Sequence, residues 1–203
     1  MLHVFSDFDG TITSQDSIVF LTEKFGGGSD FRQDILKEIK SRKLSVHEAI
    51  RRELVTVKIS WDEAASALKE NIQVDPTFSD FVTWCRQQGY SLSVLSSGIK
   101  RVVSLFIGEL DIPIFAHSIE PAQSGWIYQR NESSDKVKVL QHTQKAGKII
   151  YIGDGTSDVE VIPYVDLLFA KSYLAEYCDQ EGIPHIPFQS FLNVRNHLVN
   201  TSI

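Results

Sequence analysis

The chain contains few cysteines and no basic run. Of its 203 residues only Cys85 and Cys178 are cysteine, too few for a disulfide framework or a zinc cluster, so we expect both to be packing residues. Its 26 acidic side chains outnumber its 20 basic ones, which gives a formal net charge of -6. Because the broad basic surface typical of nucleic-acid-binding proteins is missing, we expect no nucleic-acid partner.

Long apolar runs are absent as well. No stretch approaches the roughly 20 apolar residues that a membrane helix needs. The first strand-like segment begins at Leu2, which leaves no room for the charged and apolar regions of a secretory signal. We therefore expect a cytoplasmic protein with no membrane partner. With 42% hydrophobic and 23% charged residues, the composition is that of one globular core, with or without a smaller inserted unit.

The pattern of the sequence changes along the chain. Between about residues 13 and 75, charged amphipathic stretches follow one another without a convincing strand, and Ser60 begins a capping-box pattern that indicates a helix start. After residue 75, apolar strand-like runs alternate with helical patterns, which is typical of parallel strands joined by crossover helices. After a helix over residues 173–180 we expect a proline-punctuated tail. The predicted fold is α/β, with a doubly wound parallel-sheet core formed by residues 1–13 and 75–203 and an inserted helical cap domain formed by residues 14–74.

Two aspartates follow the first strand-like run. Asp7 and Asp9 are two residues apart, so their side chains point to the same side of an extended chain. One carboxylate, bound to a hard cation, can stay ionised as a nucleophile, while the other, with a raised pKa, can donate and accept a proton. The structural alternative is that Asp9 and Gly10 simply make a turn after the strand.

A second acidic cluster lies late in the chain, in residues 153–158. Asp154 and Asp158 are four residues apart across the expected start of a helix, so they can share a face. Joined with Asp7 they make an oxygen-only pocket, which is typical of a Mg²⁺ site and not of a zinc site. The structural alternative for Asp158 is a helix-start residue that is stabilised by the helix dipole.

The segment Ser96-Ser97-Gly98 follows an apolar strand, and we expect a helix to begin near Ile99. Free backbone amides and a hydroxyl at such a helix start can bind phosphate. Ser96 is the preferred side-chain contact and Ser97 its competitor. A serine at this place is also a common helix N-cap, which is the structural alternative.

A lysine near the site can stabilise the charge of a phosphoryl group in transfer. Lys136 and Lys138 are the candidates, and because two residues apart on a helix point to different sides, only one of them is expected to reach the crevice. The position near the start of the helix favours Lys136. Since the carboxyl ends of parallel strands open onto one crevice, we expect all of these residues to form one acidic, phosphate-sized site.

Taken in order, these four motifs resemble those of the haloacid dehalogenase superfamily of phosphotransferases. The motifs are DFDGT at residues 7–11, SSG at 96–98, Lys136, and GDGTSD at 153–158. The helical insertion after the first motif is similar to the cap of the phosphoserine phosphatase-like branch. DFDGTIT at the start and residues 169–174 look closest to the 2-hydroxy-3-keto-5-methylthiopentenyl-1-phosphate phosphatase group, although this chain has Asn-Glu-Ser-Ser-Asp where that group carries a Cys-rich patch before the motif lysine.

The resemblance implies a role for each motif residue. Asp7 would be the nucleophile that forms an aspartyl-phosphate, and Asp9 the acid that protonates the leaving alcohol and then activates water. The metal Mg²⁺ would be bound by Asp7, the carbonyl of Asp9 and Asp154, with Asp158 as a further ligand or an orienting residue. The phosphate-binding set comprises Thr11, Ser96, Ser97, Gly98 and Lys136.

The leading hypothesis is therefore a magnesium-dependent phosphomonoesterase that acts on a small-molecule phosphate ester. A non-catalytic phospho-ligand or phospho-switch protein, and a phosphomutase or phosphotransferase, are the alternatives on the same core. Substrate choice is expected to lie in the cap, where Asp16, at the start of the first cap helix, is the preferred substrate contact.

Overall fold

The computed structural model describes residues 2–122 and 124–201 and contains one sheet flanked by helices. The strands are β1 (Leu2–Ser6), β2 (Ser91–Ile99), β3 (Ile114–Glu120), β4 (Ile127–Gln129), β5 (Lys148–Gly153), β6 (Leu167–Ala170) and β7 (Ile186–Pro187). The helices are α1 (Ser17–Phe25), α2 (Gly28–Lys40), α3 (Val46–Leu54), α4 (Trp61–Asn71), α5 (Phe78–Gln87), α6 (Lys100–Ile107), α7 (Lys136–Thr143), α8 (Ser172–Glu181) and α9 (Phe191–Asn200). Short 3-10 helices span Gly108–Leu110, Glu132–Ser134 and Thr156–Tyr164.

The strand order is β4-β3-β2-β1-β5-β6-β7, and every neighbouring pair is parallel except β3 and β4. The first strand thus lies in the middle, with β2 on one side and β5 on the other. The chain first adds strands on the β2 side and then returns to build the β5 side. In open sheets of this kind the ligand crevice lies where the strand order reverses, outside the carboxyl ends of the strands.

Both faces of this sheet are buried. Val4 and Ile150 belong to one apolar cluster, whereas their neighbours Phe5 and Tyr151 belong to another. Successive side chains of a strand point to opposite faces, so each face packs against its own layer. Unbroken apolar runs are typical of such doubly covered parallel strands. The predicted α/β, doubly wound fold is confirmed.

The four helices α1–α4 form the insertion between β1 and α5. The two chain segments that enter and leave it run side by side at its base. Thr13 pairs with Val74 in an isolated bridge, and the amide of Ser14 donates to the carbonyl of Gln73 at 2.8 Å. This closed base supports our proposal that residues 14–74 form a cap domain. Among the described residues, every helix is too short or too polar to cross a membrane.

Some predicted elements differ from the structure. Helix α6 begins at Lys100, with Ile99 as its N-cap, which agrees with the helix start expected near Ile99. What differs is the segment before it, because β2 runs through Ser96, Ser97 and Gly98 to Ile99 and leaves no turn between strand and helix. The pairing of β2 with β3 shifts register between Leu95 and Ile99, and such an irregularity re-aims side chains at a strand end.

The proline-punctuated tail expected after residue 180 contains two elements that the sequence analysis did not predict, β7 and α9. Strand β7 is only two residues long, and its Pro187 stands on the sheet edge, where a missing amide is tolerated. Helix α9 packs through the fully buried Phe191 against Phe78 of α5, with ring centroids 4.7 Å apart.

The turn before β4 makes a second contact between the core and the helical insertion, in addition to the paired segments at its base. The amide of Trp126 donates to the carbonyl of Leu54 at 3.0 Å, and its indole Nε1 donates to the carbonyl of Ile59 at 2.9 Å. The Trp126 side chain is fully buried. Gly125 has a φ of +119°, and a Cβ there would lie 1.8 Å from the carbonyl oxygen of Val55. Only glycine permits this close approach.

We expect the substitution Trp126→Ala to lower the free energy of unfolding by about 3–5 kcal/mol, as large-to-small substitutions in a core do. Equilibrium denaturation in urea measures this as a lower midpoint. The control is Ile127→Ala, because Ile127 is 49% exposed and surface substitutions change stability by about 0.5 kcal/mol or less. Equal midpoints for the two variants would contradict the packing role of Trp126.

Candidate functional site

The candidate site is a cavity of about 300 Å³ at the carboxyl ends of the central strands. Asp7 follows β1 directly, Asp154 follows β5 directly, and Ser96 lies near the end of β2. Because β1 is paired with both β2 and β5 in parallel, the three strand ends lie next to one another. The cap insertion supplies the opposite wall.

Lys136 connects the first and the last motif. Its side chain is buried, and its Nζ lies 2.9 Å from Oδ1 of Asp7, 2.6 Å from Oδ1 of Asp158 and 3.1 Å from Oγ of Ser157. Burial lowers the pKa of Lys136, but the charges of Asp158 and Asp7 outweigh it and hold the pKa above its usual range. The ammonium group therefore stays charged between the two carboxylates. Lys138, the other candidate, is exposed and pairs with Glu132.

Asp158 accepts four hydrogen bonds. Its Oδ1 accepts from Lys136 and from the hydroxyl of Tyr151 at 2.6 Å, and its Oδ2 accepts from the amides of Asp154 and Gly155 at 3.0 and 2.9 Å. A carboxylate offers about four lone-pair sites, so those of Asp158 are all used. This geometry supports an orienting role for Asp158, which was expected as a metal ligand or an orienting residue.

The residues fit a divalent cation with oxygen ligands. Asp7, Asp154 and Asp158 each place a carboxylate oxygen within 4.8 Å of the others. Burial raises the pKa of Asp154, and the charges of Asp7 and Asp158 raise it further. Burial also raises the pKa of Asp7, against the opposing charge of Lys136. Two buried carboxylates and one partly buried carboxylate around one ammonium group are short of positive charge, and carboxylate oxygens are the ligands that Mg²⁺ prefers.

Asp9 has a different environment from Asp7. Its Oδ1 accepts a hydrogen bond from the amide of Ser17, at the start of α1, at 2.8 Å. Burial raises the pKa of Asp9 well above its usual range, and the negative charge of Asp16 adds to this effect. This shift favours the protonated form of the carboxyl group, which is the form that can act as a proton donor. A Cβ on Gly98 would lie 2.6 Å from Oδ2 of Asp9, so only glycine permits this approach.

Ser96, Ser97 and Gly98 line the cavity, as does Asp16. The Oγ of Ser96 accepts a hydrogen bond from the amide of Gly98 at 2.9 Å, which leaves its own hydroxyl proton to donate. Asp16 also caps α1, because its Oδ1 accepts from two amides of the first turn. The expected phosphate contacts of Ser96, Ser97 and Gly98, and the expected substrate contact of Asp16, stay proposals.

Thr11 was expected to bind phosphate, and the structure places its hydroxyl elsewhere. Its Oγ1 donates to Oδ1 of Asp154 at 2.8 Å, and its side chain is buried. Gly10, which has a φ of +76°, brings this loop against the same carboxylate, because a Cβ there would lie 2.3 Å from Oδ2 of Asp154. The geometry thus supports a role for Thr11 in orienting Asp154.

Sequence reasoning missed several residues of the site. Lys171 donates from Nζ to the carbonyl of Thr11 at 3.1 Å, and it follows β6 directly, so the strand-end signal used for Asp7 could have identified it. Tyr151 lies inside an apolar run, and Ser157 lies beside a motif aspartate, so neither carried a signal of its own.

The cap wall contains an ion pair that sequence reasoning also missed. Nε of Arg32 on α2 lies 2.9 Å from Oε1 of Glu53 on α3, and both residues line the cavity. The Glu53 side chain is only 4% exposed. Burial raises the pKa of Glu53 to about 7, although the guanidinium of Arg32 opposes this shift.

The raised pKa of Glu53 makes a pH-dependent contribution to stability. The ordinary pKa of a glutamate is 4.5, and that of Glu53 in the folded state is about 7. Between these two pH values the folded state holds a proton that the unfolded state has lost, so the free energy of unfolding falls as the pH rises. We expect the change in the free energy of unfolding caused by Glu53→Gln to be more stabilising at pH 8 than at pH 5, by about 2 kcal/mol. Urea denaturation at both pH values measures this difference. Glu48→Gln, on the same helix, is expected to show no such gain, because the hydrogen bond from Arg51 lowers the pKa of Glu48. A pH-independent effect of Glu53→Gln would contradict the burial of this charge.

Comparison with known proteins shows the family of this chain. A profile of the haloacid dehalogenase-like hydrolase family matches residues 4–162. Pdp3-interacting factor 1 of Schizosaccharomyces pombe is 33% identical, over 97% of this chain and 94% of its own length. Polyol phosphate phosphatase PYP1 of Saccharomyces cerevisiae is 28% identical, over 94% of this chain and 90% of its own. A 2-hydroxy-3-keto-5-methylthiopentenyl-1-phosphate phosphatase of Microcystis aeruginosa is 26% identical, over 97% of both chains.

The fold has close counterparts among solved structures. A phosphoserine phosphatase that carries an analogue of its phospho-aspartyl intermediate superposes with a TM-score of 0.77, over 96% of this chain and 97% of its own, at 18% identity. The resemblance inferred from the four motifs is thus confirmed, and the chain belongs to the haloacid dehalogenase-like hydrolases.

Proposed function

We propose that this hydrolase is a magnesium-dependent phosphomonoesterase, and that it cleaves a small-molecule phosphate ester through an aspartyl-phosphate on Asp7. The observation that carries the proposal is the placement of Asp7. It lies at the end of the central strand, with its Oδ1 held by Lys136 and with Asp154 close enough to share a cation. Relatives named for a polyol phosphate and for a methylthiopentenyl phosphate both act on small esters, which supports this substrate class.

Asp7 and Asp9 divide the chemistry between them. Because Lys136 holds Oδ1 of Asp7, we assign Oδ2 as the atom that attacks phosphorus. The bond from phosphorus to the ester oxygen breaks, and Asp9 gives its proton to the leaving alcohol. Asp9, now a carboxylate, takes a proton from water. The resulting hydroxide attacks phosphorus and displaces Asp7, which releases inorganic phosphate.

Three groups of the chain bind and neutralise the phosphoryl oxygens in this proposal. The Ser96 hydroxyl, positioned by the Gly98 amide, donates to one oxygen, Ser97 and Gly98 line the cavity beside it, and Lys136 places a positive charge next to Asp7. Fixed charges and donors aimed at developing charge are the main source of catalysis in phosphoryl transfer. Asp7, the carbonyl of Asp9 and Asp154 would hold the Mg²⁺, which supplies further neutralisation when bound.

We expect turnover of p-nitrophenyl phosphate with Mg²⁺, and loss of all turnover in Asp7→Asn. Asp9→Asn is expected to lose about 10²–10⁴-fold in kcat with an alkyl phosphate. Its loss with p-nitrophenyl phosphate should be smaller, because nitrophenolate leaves without needing a proton. Asp80→Asn, at an exposed position of α5, is the matched control.

The products separate the alternatives. Free phosphate equal to the alcohol released supports hydrolysis, whereas phosphate found on an added sugar alcohol would indicate a phosphotransferase. A stable acyl-phosphate, trapped by hydroxylamine without turnover, would indicate a phospho-switch protein. Full activity in Asp7→Asn would overturn the proposal.

Mg²⁺ should also stabilise the folded chain, because it binds only where Asp7, the carbonyl of Asp9 and Asp154 are assembled. At an Mg²⁺ concentration of 100 times Kd, the expected gain is about 2.7 kcal/mol, which raises Tm by about 5–10 °C for a chain of this length. Calorimetry with Mg²⁺ and with EDTA measures it. Asp154→Asn is expected to abolish the rise and Asp80→Asn to keep it. An unchanged rise in Asp154→Asn would place the ion elsewhere.

A further inference from the structure

The cap wall carries unsatisfied polar atoms on two residues that line the cavity. Arg32 and Glu53 are close enough for an ion pair, at 2.9 Å, yet no hydrogen bond of normal geometry joins them. Within the described part of the chain, Nε and Nη1 of Arg32 and Oε1 of Glu53 are buried without a hydrogen-bond partner. Buried polar atoms are normally hydrogen-bonded, so an unsatisfied pair beside a cavity indicates side chains that can turn toward a polar ligand there.

The charge of the cavity restricts what this ligand is. Arg32 is the only Lys or Arg among the lining residues that the structure describes, and its charge is already balanced by Glu53. Asp16 adds a second carboxylate to the same wall. At pH 8, above the raised pKa of Glu53, a leaving group with its own carboxylate would meet two carboxylates and, among the described lining residues, no unpaired cation. The cap wall therefore disfavours acidic leaving groups.

A neutral hydroxylated chain fits the orphaned atoms. Each hydroxyl both donates and accepts a hydrogen bond, whereas Arg32 only donates and the Glu53 carboxylate only accepts. Neighbouring hydroxyls can therefore satisfy both side chains at once. Apolar residues of the same wall, Ile18 and Ile50 among them, can contact the carbon chain. A cavity of about 300 Å³ is at the small end of the range for ligand pockets, which suits a short chain.

We propose that Arg32 and Glu53 are specificity residues that recognise neighbouring hydroxyl groups of a phosphorylated polyol. The Arg32 guanidinium donates to one hydroxyl oxygen, and the Glu53 carboxylate accepts from the next hydroxyl. This inference rests on the phosphomonoesterase proposed above and names its leaving group. Neither side chain takes part in the bond-making steps, because both lie on the cap helices, away from the strand ends that carry the nucleophile.

The test compares matched substrates with the unaltered protein. The ester pair is ribitol 5-phosphate and pentyl phosphate, which have the same number of carbons and differ in hydroxyls. The ester with an acidic leaving group is 3-phosphoglycerate, whose glycerate carries a carboxylate and no amine, and p-nitrophenyl phosphate is the reference. We expect kcat/KM for the ribitol ester, measured at pH 8, to exceed that for the pentyl ester at least tenfold, mainly through KM. The ester 3-phosphoglycerate should be poorer than the ribitol ester.

Variants assign this preference to the pair. Arg32→Gln and Glu53→Gln are each expected to reduce the ribitol-to-pentyl ratio to near one. The matched controls are Arg51→Gln and Glu48→Gln, because Arg51 and Glu48 form an ion pair on α3 outside the cavity lining. They should leave the ratio unchanged. If Arg32→Gln fails to fold, Arg32→Lys, which keeps the charge without the planar fork, is expected to lose part of the ratio.

The outcomes of this test are distinguishable. No turnover of any ester, p-nitrophenyl phosphate included, would overturn the phosphomonoesterase itself. Turnover of p-nitrophenyl phosphate with a ribitol-to-pentyl ratio of one or below would overturn the polyol inference and leave the phosphomonoesterase in place. A high ratio that survives in the Arg32 and Glu53 variants would confirm a polyol preference but remove these two residues as its cause.

Discussion

The site depends on one buried ammonium group held between two carboxylates. Lys136 on α7 reaches Asp7 at the end of β1 and Asp158 after β5, so a single side chain joins segments that are 129 and 22 residues from it in the sequence. Removing one partner of a buried pair leaves an uncompensated charge, which is strongly destabilising. One lysine does not balance the whole cluster, because Asp154 adds a third carboxylate. The fold thus concentrates negative charge at one strand end, where a divalent cation and a phosphate ester can complete the balance.

Burial raises the pKa of both motif aspartates, and their charged neighbours then act on the two pKa values in opposite directions. Asp7 faces the ammonium group of Lys136, which opposes protonation, whereas Asp9 faces the carboxylate of Asp16, which favours it. Two carboxyl groups two residues apart therefore suit different tasks, one as nucleophile and one as proton donor. Pairs of titratable groups whose surroundings push their pKa values apart are typical of acid–base sites.

The cap insertion contributes to this chemistry as well as covering it. The amide of Ser17, the first residue of the first cap helix, donates to Oδ1 of Asp9. The position of the proton donor is thus tied to the position of the cap. On its other side the cap is held by Trp126, whose amide and indole donate to cap carbonyls. The cap wall that faces the phosphate site carries Arg32 and Glu53, so the same insertion fixes the acid and presents the groups that we assign to substrate choice.

Local sequence signals predicted the core and most of the catalytic strand ends. The apolar runs that precede Asp7 and Asp154 indicated parallel strands, and the four ordered motifs indicated the family. Short elements were not predicted, because a two-residue strand such as β7 has too few positions to show the alternation of apolar and polar residues. The helix start expected near Ile99 agrees with α6, but the sequence did not show that β2 continues through its register shift to that residue.

The sequence by itself determined which residues end the strands and which of them can hold charge, because apolar periodicity and motif order are local properties of the chain. Only the tertiary structure decided which partners these side chains have. Asp158 accepts hydrogen bonds from neighbouring groups at all of its lone-pair sites. Thr11 donates to Asp154, and Arg32 on one cap helix pairs with Glu53 on another. These partners come together because segments that are distant in sequence pack against one another. Such packing depends on the whole molecule, so a local sequence pattern cannot predict it.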